Sequence, residues 1–455
     1  MAFLDNNYLI SNAAGLRIFQ AVKDLPIVDA HNHANVKELA ENKNYSDAWQ
    51  LFAATDHYVW SVMRRCGVDE EYITGSRTPR EKFCELGRIF PLLVGNPVYE
   101  WIHLDLKRVM NIDTLLNGET ANEIFDAVNA VLAREDMKPL SILKKLNVVA
   151  MCSTDDPVDT LEYHRQVNEA WGGILVRPTW RPDAAMNMHL PTWKSYMEKL
   201  SKRFDVKFNG IDDLFTALRM SHDYFAANNC TVSDHGVEVV AGASYDKAAA
   251  DATFKKALAG GEVSKAEIVN FQKAVMNCAG ELDAEKDWVF QLHFGAMRNV
   301  RYSIFEKLGP DTGVDTGNCF QDHYPGIVDF LNVFDNRLKV VLYCFDPTQI
   351  STVASVARAF CSKVKIGAPW WQCDNPIGMK RQLEYFGSVD LVNNCSGMVS
   401  DSRKLLSYGS RHEMFRRVLA DVLGTMAELG QAPEELLTAL AVRLCYEQPR
   451  TFFNI

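Results

Sequence analysis

Short apolar or β-branched runs recur along the chain, separated by longer stretches in which apolar residues return every three or four positions. The runs predict strands over 27–33, 148–153, 174–181, 230–235, 288–297, 338–345, 363–370 and 397–401. Helical periodicity fills most of the intervals, as in DTLEYHRQVNEAW (159–171), GIDDLFTALRMSHDYFAAN (210–228) and SRHEMFRRVLADVLGTMAELG (410–430). Alternation of this kind predicts an α/β protein. A closed (β/α)8 barrel fits better than an open doubly wound sheet, whose glycine-rich phosphate turn is missing. Two intervals are too long for simple crossovers. Residues 34–146 carry helical patterns and little strand signal, predicting a helical insertion after the first strand, and 245–279 reads as two helices joined at Gly260 and Gly261. The chain as a whole, 1–455, is expected to form one barrel domain carrying these insertions.

Composition narrows the function classes. With 47% hydrophobic and 23% charged residues the chain has ample core-forming material. Its formal net charge of -10 leaves no basic excess to neutralise nucleic-acid or membrane phosphates, so neither partner is expected. An acidic protein can still bind an acidic small molecule where arginines gather locally. The eleven cysteines are scattered, without a C-x-x-C, as expected of reduced thiols rather than a disulfide framework. No run approaches the ~18 apolar residues of a membrane span, and a cytoplasmic location is expected.

In barrels of this class the chemistry sits at the carboxyl ends of the strands. Here those ends read HNH (31–33), STDDP (153–157), TWRPD (179–183), SDHG (233–236), LHFGAMRN (292–299), APWW (368–371) and SDSR (400–403). Polar residues at buried strand ends cost free energy unless paired, ligated or solvated, so a ring of them reads as a site. His31 and His33, at i and i+2 of one strand, leave from the same face. With His293 and Asp401 they form a nitrogen and oxygen set suited to zinc or another divalent transition ion. Each alone has an ordinary explanation, a satisfied core histidine or a helix cap. Four ligand types at matching strand ends outweigh those. Arg181 and Arg403 have the forked geometry that receives a carboxylate.

HxH on the first strand, His on the fifth and Asp on the eighth resemble the amidohydrolase superfamily. The fuller set, including DAHNH, TDHYVW, CSTDDPVDTLEYH, RPTWRPD, SDHG, QLHFGAMRN, the WW…D…GM segment and GMVSDSRKLLSYGSRHEMFRR, resembles the uronate isomerase (glucuronate isomerase) family within it. The resemblance implies a distorted barrel and interconversion of D-glucuronate with D-fructuronate and of D-galacturonate with D-tagaturonate. It implies one divalent ion, zinc or manganese, held by His31, His33, His293 and Asp401, without making that ion a strict requirement; a homo-oligomer is expected, with the large helical insertion as the candidate subunit contact. Arg181 and Arg403 would contact the uronate, His57 and Tyr58 would reach in from the insertion, Trp371 would form an apolar wall, and His235 is a candidate substrate contact. The sixth strand ends in YCFDP without a histidine, which argues for one metal rather than two.

Such an isomerisation removes a proton from C2, stabilises an enediol(ate) and returns a proton to C1, so a base and an acid must flank one edge of the sugar. Asp401 and Tyr58 are the expected pair. A direct hydride shift is the other route, and a mononuclear metal-dependent hydrolase is the alternative function. Asp155 and Asp156 mimic a paired-carboxylate couple, but Asp156-Pro157 fits a helix start better. RHEMF (411–415) lacks the second histidine of a zincin helix, and His103 is read as structural.

Overall fold

The computed structural model describes residues 3–170, 173–318 and 321–455. Its strands are β1 (Ile27–Asp29), β2 (Val148–Cys152), β3 (Leu175–Arg177), β4 (Val232–Val237), β5 (Val289–Phe294), β6 (Ala296–Met297), β7 (Thr316–Gly317), β8 (Lys339–Cys344) and β9 (Val364–Ile366). Parallel pairing gives one sheet in the order β1-β2-β3 and another in the order β4-β5-β8-β9, while β6 and β7 form a small antiparallel pair. The chain is therefore an α/β protein built on parallel sheets.

Single backbone contacts link the two large sheets. Past β3, the Trp180 amide donates to the Val232 carbonyl and the Asp234 amide to the Trp180 carbonyl. On the other side, Ser396 N–H donates to Ile366, Asp401 N–H to His31 and His33 N–H to Ser402. The expected eighth strand over 397–401 is not a regular strand. Gly397 (φ 102°) and Asp401 (φ 48°) both leave the extended region, so the segment touches β1 and β9 at separate points instead of forming a ladder. The β6–β7 hairpin was not expected as a separate element. Gly295 (φ 91°) breaks the predicted 288–297 run and turns Ala296 and Met297 out to pair with Thr316 and Gly317.

Alternation along the strands divides the core. In β5 the even residues Phe290, Leu292 and Phe294 pack with the helices Trp193–Phe204, Ile211–Ala227 and Lys265–Glu285. Val289, Gln291 and His293 face the other way. There the Gln291 side chain donates to the Ala30 carbonyl (3.1 Å) and accepts from the Tyr343 hydroxyl (2.9 Å), joining β5, β8 and the end of β1 through a buried polar centre.

Between β1 and β2 the chain is helical, including His57–Arg65, Pro79–Ile89, Pro97–Arg108 and Ala121–Leu132. Thr78 opens Pro79–Ile89 with a reciprocal Thr78–Glu81 capping box, and Asp56 caps His57–Arg65 through the amides of Tyr58 (2.9 Å) and Val59 (3.4 Å). Asp56 also pairs with buried Lys404 (3.3 Å), which ties this helical region to the segment just after Asp401. The later interval holds helices Lys247–Leu258 and Lys265–Glu285, with Gly260 left-handed between them (φ 82°). The helix expected over 159–171 runs Glu162–Ala170, with Trp171 outside the described residues. The ten described cysteines are unbridged, and Cys319 lies outside the described set. Among the described residues no helix is long and apolar enough to cross a membrane.

Candidate active site

Five of the seven polar strand ends, all but 153–157 and 233–236, meet in one cavity of about 350 Å³, lined among others by His31, His33, His57, Arg181, His293, Trp371, Asp401 and Arg403. These come from β1, the helical region after it, the end of β3, β5, and the segments after β9. Two of the expected site residues do not line it, Tyr58 and His235.

At its floor Asp401 Oδ1 lies 3.0 Å from His31 Nε2 and 3.0 Å from His33 Nε2, and Asp401 Oδ2 accepts from Trp370 Nε1 (2.8 Å). The left-handed backbone of Asp401 is tolerable for an Asp and turns the carboxylate back onto the β1 histidines. His293 Nδ1 lies 2.7 Å from Asp234 Oδ1, and its Nε2 is buried without a partner. A carboxylate behind an imidazole, with the far nitrogen free, is how a metal-binding histidine is oriented. His31 Nδ1 is likewise unpartnered, 4.0 Å from Asp234 Oδ2. Among the described residues two overlapping groups could hold a cation, His31–His33–Asp401 and His31–Asp234–His293. The donor set fits one divalent transition ion.

Protonation agrees with that fit at His33, His293 and Asp401, while His31 would have to lose a proton on ligation. Burial pushes His293 down to about 4 and lowers His33, so both are neutral imidazoles near pH 7. Burial acts on His31 in the same direction, yet Asp234 and Asp401 outweigh it and hold it up. Although burial opposes it, contact with His31 and His33 keeps Asp401 well below the usual carboxylate range. His57, above the floor, is pushed down to about 4 by burial and then by Arg403.

Arg181 is clamped, Nε to Asp183 Oδ2 (2.8 Å) and Nη1 to Asp234 Oδ2 (2.9 Å). Among the described residues Arg403 meets the backbone carbonyl and the exposed carboxylate of Asp311, at 3.3 and 3.8 Å, and no other hydrogen-bond or ion-pair partner. Across the mouth Arg298 pairs with Asp315 (2.8 Å) and lies over the Trp371 ring at 5.6 Å. His57 meets the Trp371 ring edge-on at 4.9 Å. Behind that wall, the Tyr58 hydroxyl donates to Asp374 Oδ2 (2.7 Å).

The reading of His235 as a substrate contact is corrected by strand parity. His235 pairs with Leu292 on the helix-facing side of the sheet, stacks on Phe290 at 3.8 Å, and lies 2.9 Å from the Ser233 hydroxyl, which donates to buried Asp283. Its neighbour Asp234, overlooked in the sequence, takes the inward position. The signal was available, since period-2 alternation allows Asp234 or His235 to face inward, never both. Asp155 and Asp156 are no acid/base couple either. Asp155 binds Ser153 (2.7 Å) and the Thr179 amide (3.1 Å), while Asp156 caps at Val158 (3.0 Å) and accepts from Tyr196 (2.8 Å). His103 is structural, held between the Tyr99 carbonyl (2.9 Å) and the Leu116 amide (3.0 Å).

Comparison with known proteins identifies the family. The family model described as glucuronate isomerase matches residues 1–453. The chain belongs to the glucuronate isomerase family. Relatives of similar length include the uronate isomerase of Thermotoga sp. (strain RQ2), 47% identical over 99% of both chains, and that of Phocaeicola vulgatus, 36% identical over 99% of both. Among solved structures, the uronate isomerase of Thermotoga maritima superposes with a TM-score of 0.98 at 46% identity, covering 100% of both chains. The glucuronate isomerase of Caulobacter crescentus, at 24% identity and a TM-score of 0.95 over 100% of this chain and 97% of that one, shares the fold. The matched family and these relatives are isomerases, and none of them supports the hydrolase alternative.

Proposed function

We propose that the chain is an aldose–ketose isomerase of hexuronates, interconverting D-glucuronate with D-fructuronate and D-galacturonate with D-tagaturonate. The observation that carries this reading is the polarity of the cavity: a histidine–carboxylate floor opposite a rim that holds Arg403 and Arg298. A sugar acid has the complementary shape, a reacting C1–C2 edge at one end and a fixed negative charge at the other. His31, His33, His293 and Asp401 would hold one zinc or manganese ion, which when bound supplies electrophilic polarisation of substrate oxygens.

Asp401, kept ionised by His31 and His33 and accepting from Trp370, would take the proton from carbon, and Tyr58, next to the lining residue His57 and kept protonated by burial and by Asp374, would serve as its partner acid. Arg403 has no strong competitor for its fork and is the better anchor for the far carboxylate. Arg181 already serves two carboxylates, so it meets the substrate as a hydrogen-bond donor near the reacting end. His57 and Trp371 close the wall and exclude water.

The contacts of Trp180 with β4, and of 396–402 with β9 and β1, support a distorted, closed eight-membered (β/α)8 arrangement, with 34–146 and 245–279 as its insertions. Leu92 and Val94, about 70% exposed in the first insertion, support a contact between copies there. Incubating the purified protein with D-glucuronate and D-galacturonate, with zinc or manganese present, should yield the ketoses. No turnover on either would overturn the assignment.

A further inference from the structure

Arg411 has no part in the chemistry described above and Asp374 enters it only as the acceptor of the Tyr58 hydroxyl, yet the two are buried together directly behind it. Arg411 is 2% exposed and Asp374 4%. Arg411 Nη1 reaches Asp374 Oδ2 at 2.7 Å and the Ser400 carbonyl at 3.0 Å. The same Asp374 oxygen receives the Tyr58 hydroxyl at 2.7 Å. The guanidinium also lies 4.7 Å from the Tyr58 ring centre and 4.1 Å from that of Trp101. One nitrogen thus bridges the backbone of the residue before Asp401 and the carboxylate that receives the Tyr58 hydroxyl.

A buried ion pair is not a cheap way to stabilise a core, because desolvation offsets most of the attraction. This pair does something an apolar pair of the same size cannot. It links two segments some 340 residues apart in sequence through directional bonds whose lengths are set by one rigid planar group. It also fixes where the Tyr58 oxygen sits, through the hydroxyl that Asp374 accepts.

We propose that Arg411 and Asp374 are positioning residues that set the distance and orientation between Asp401 and Tyr58, with Asp374 acting through the Tyr58 hydroxyl and Arg411 through both Asp374 and the Ser400 backbone. The proposal rests on the reading of Asp401 and Tyr58 as the proton-transfer pair.

A double-mutant cycle tests it. Asp374→Asn should lower kcat on D-glucuronate by about 10- to 100-fold with KM nearly unchanged, since supporting contacts of this kind carry effects of that size. Placed on Tyr58→Phe, the same substitution should lower kcat no further, because the group it acts through is gone. Losses that multiply, or an Asp374→Asn enzyme with unchanged kcat, would overturn the proposal. Unchanged kcat in Tyr58→Phe alone would instead remove Tyr58 from the reaction and leave the isomerase reading standing. If Asp374→Asn does not fold, a crystal structure of the wild-type protein with D-glucarate decides. Tyr58 Oη should keep its bond to Asp374 while facing the ligand, and a Tyr58 that swings off Asp374 on binding would refute the role.

Discussion

Two arginines that look alike in the sequence differ once their partners are known. Replacing Arg181 by Met strips the countercharge from Asp183 and from the fully buried Asp234. Breaking such a pair costs about 3–5 kcal/mol, so Arg181→Met should lose thermal stability together with turnover. Arg403→Met leaves only exposed Asp311 behind, so its stability should move by less than about 1 kcal/mol while KM for hexuronate rises at least tenfold. Thermal melts beside steady-state kinetics separate the two, and equal stability losses would mean that Arg403 is also structural. His103 gives a pH prediction away from the site. Burial pushes it down to about 4 from the 6.5 of an unperturbed histidine. Between those values the unfolded chain binds the extra proton, so the stability His103 contributes is complete above pH 6.5 and is lost as pH falls toward 4. The shift corresponds to about 3 kcal/mol. The stability gap between wild type and His103→Gln, read from denaturant melts, should narrow over that window, and a pH-independent gap would contradict the assignment.

Seven of the eight expected strands appear at or near their predicted positions, because buried parallel strands carry apolar runs that need no tertiary knowledge to see. The eighth, over 397–401, failed as a regular strand because its residues are chosen to aim Asp401 rather than to pair. Such mismatches between local pattern and structure fall at functional positions for that reason. Side-chain parity was the finer signal and the easier one to miss in VSDHGV, where Ser233 and His235 go to the helix layer and Asp234 to the side of His293 and Arg181. His235→Ala tests that parity. Removing a large buried ring stacked on Phe290 should cost about 3 kcal/mol of stability and leave KM for hexuronate within twofold. A rise in KM without loss of stability would return His235 to the site.

At the scale of the molecule, the ligand types were visible in the sequence, but their meeting was not. Nothing local in Arg298, Asp374 or Arg411 distinguishes them from ordinary surface or helix residues; the packing of 57–65 and 407–428 brings Tyr58 and Arg411 onto Asp374, and the fold sets Arg298 between Asp315 and Trp371. The same long-range convergence would make the proposed ion's site a property of the whole fold. His31, His33, His293 and Asp401 span 370 positions of the chain, so an unfolded chain cannot offer them together, and an ion that binds only the folded state stabilises it by mass action. At a free concentration of 100 times its Kd that amounts to about 2.7 kcal/mol. Removing bound metal with a chelator should therefore lower the melting temperature by a few degrees, and added zinc or manganese should restore it. In His33→Ala, where an imidazole is lost from the exposed side of the floor, the chelator should produce little or no shift. His235→Ala, on the far side of β4, should keep the full metal-dependent shift although it melts lower, since its ring touches none of the donors. A chelator shift of equal size in wild type and His33→Ala would place the ion elsewhere and leave the histidine–carboxylate floor to act on the substrate without it.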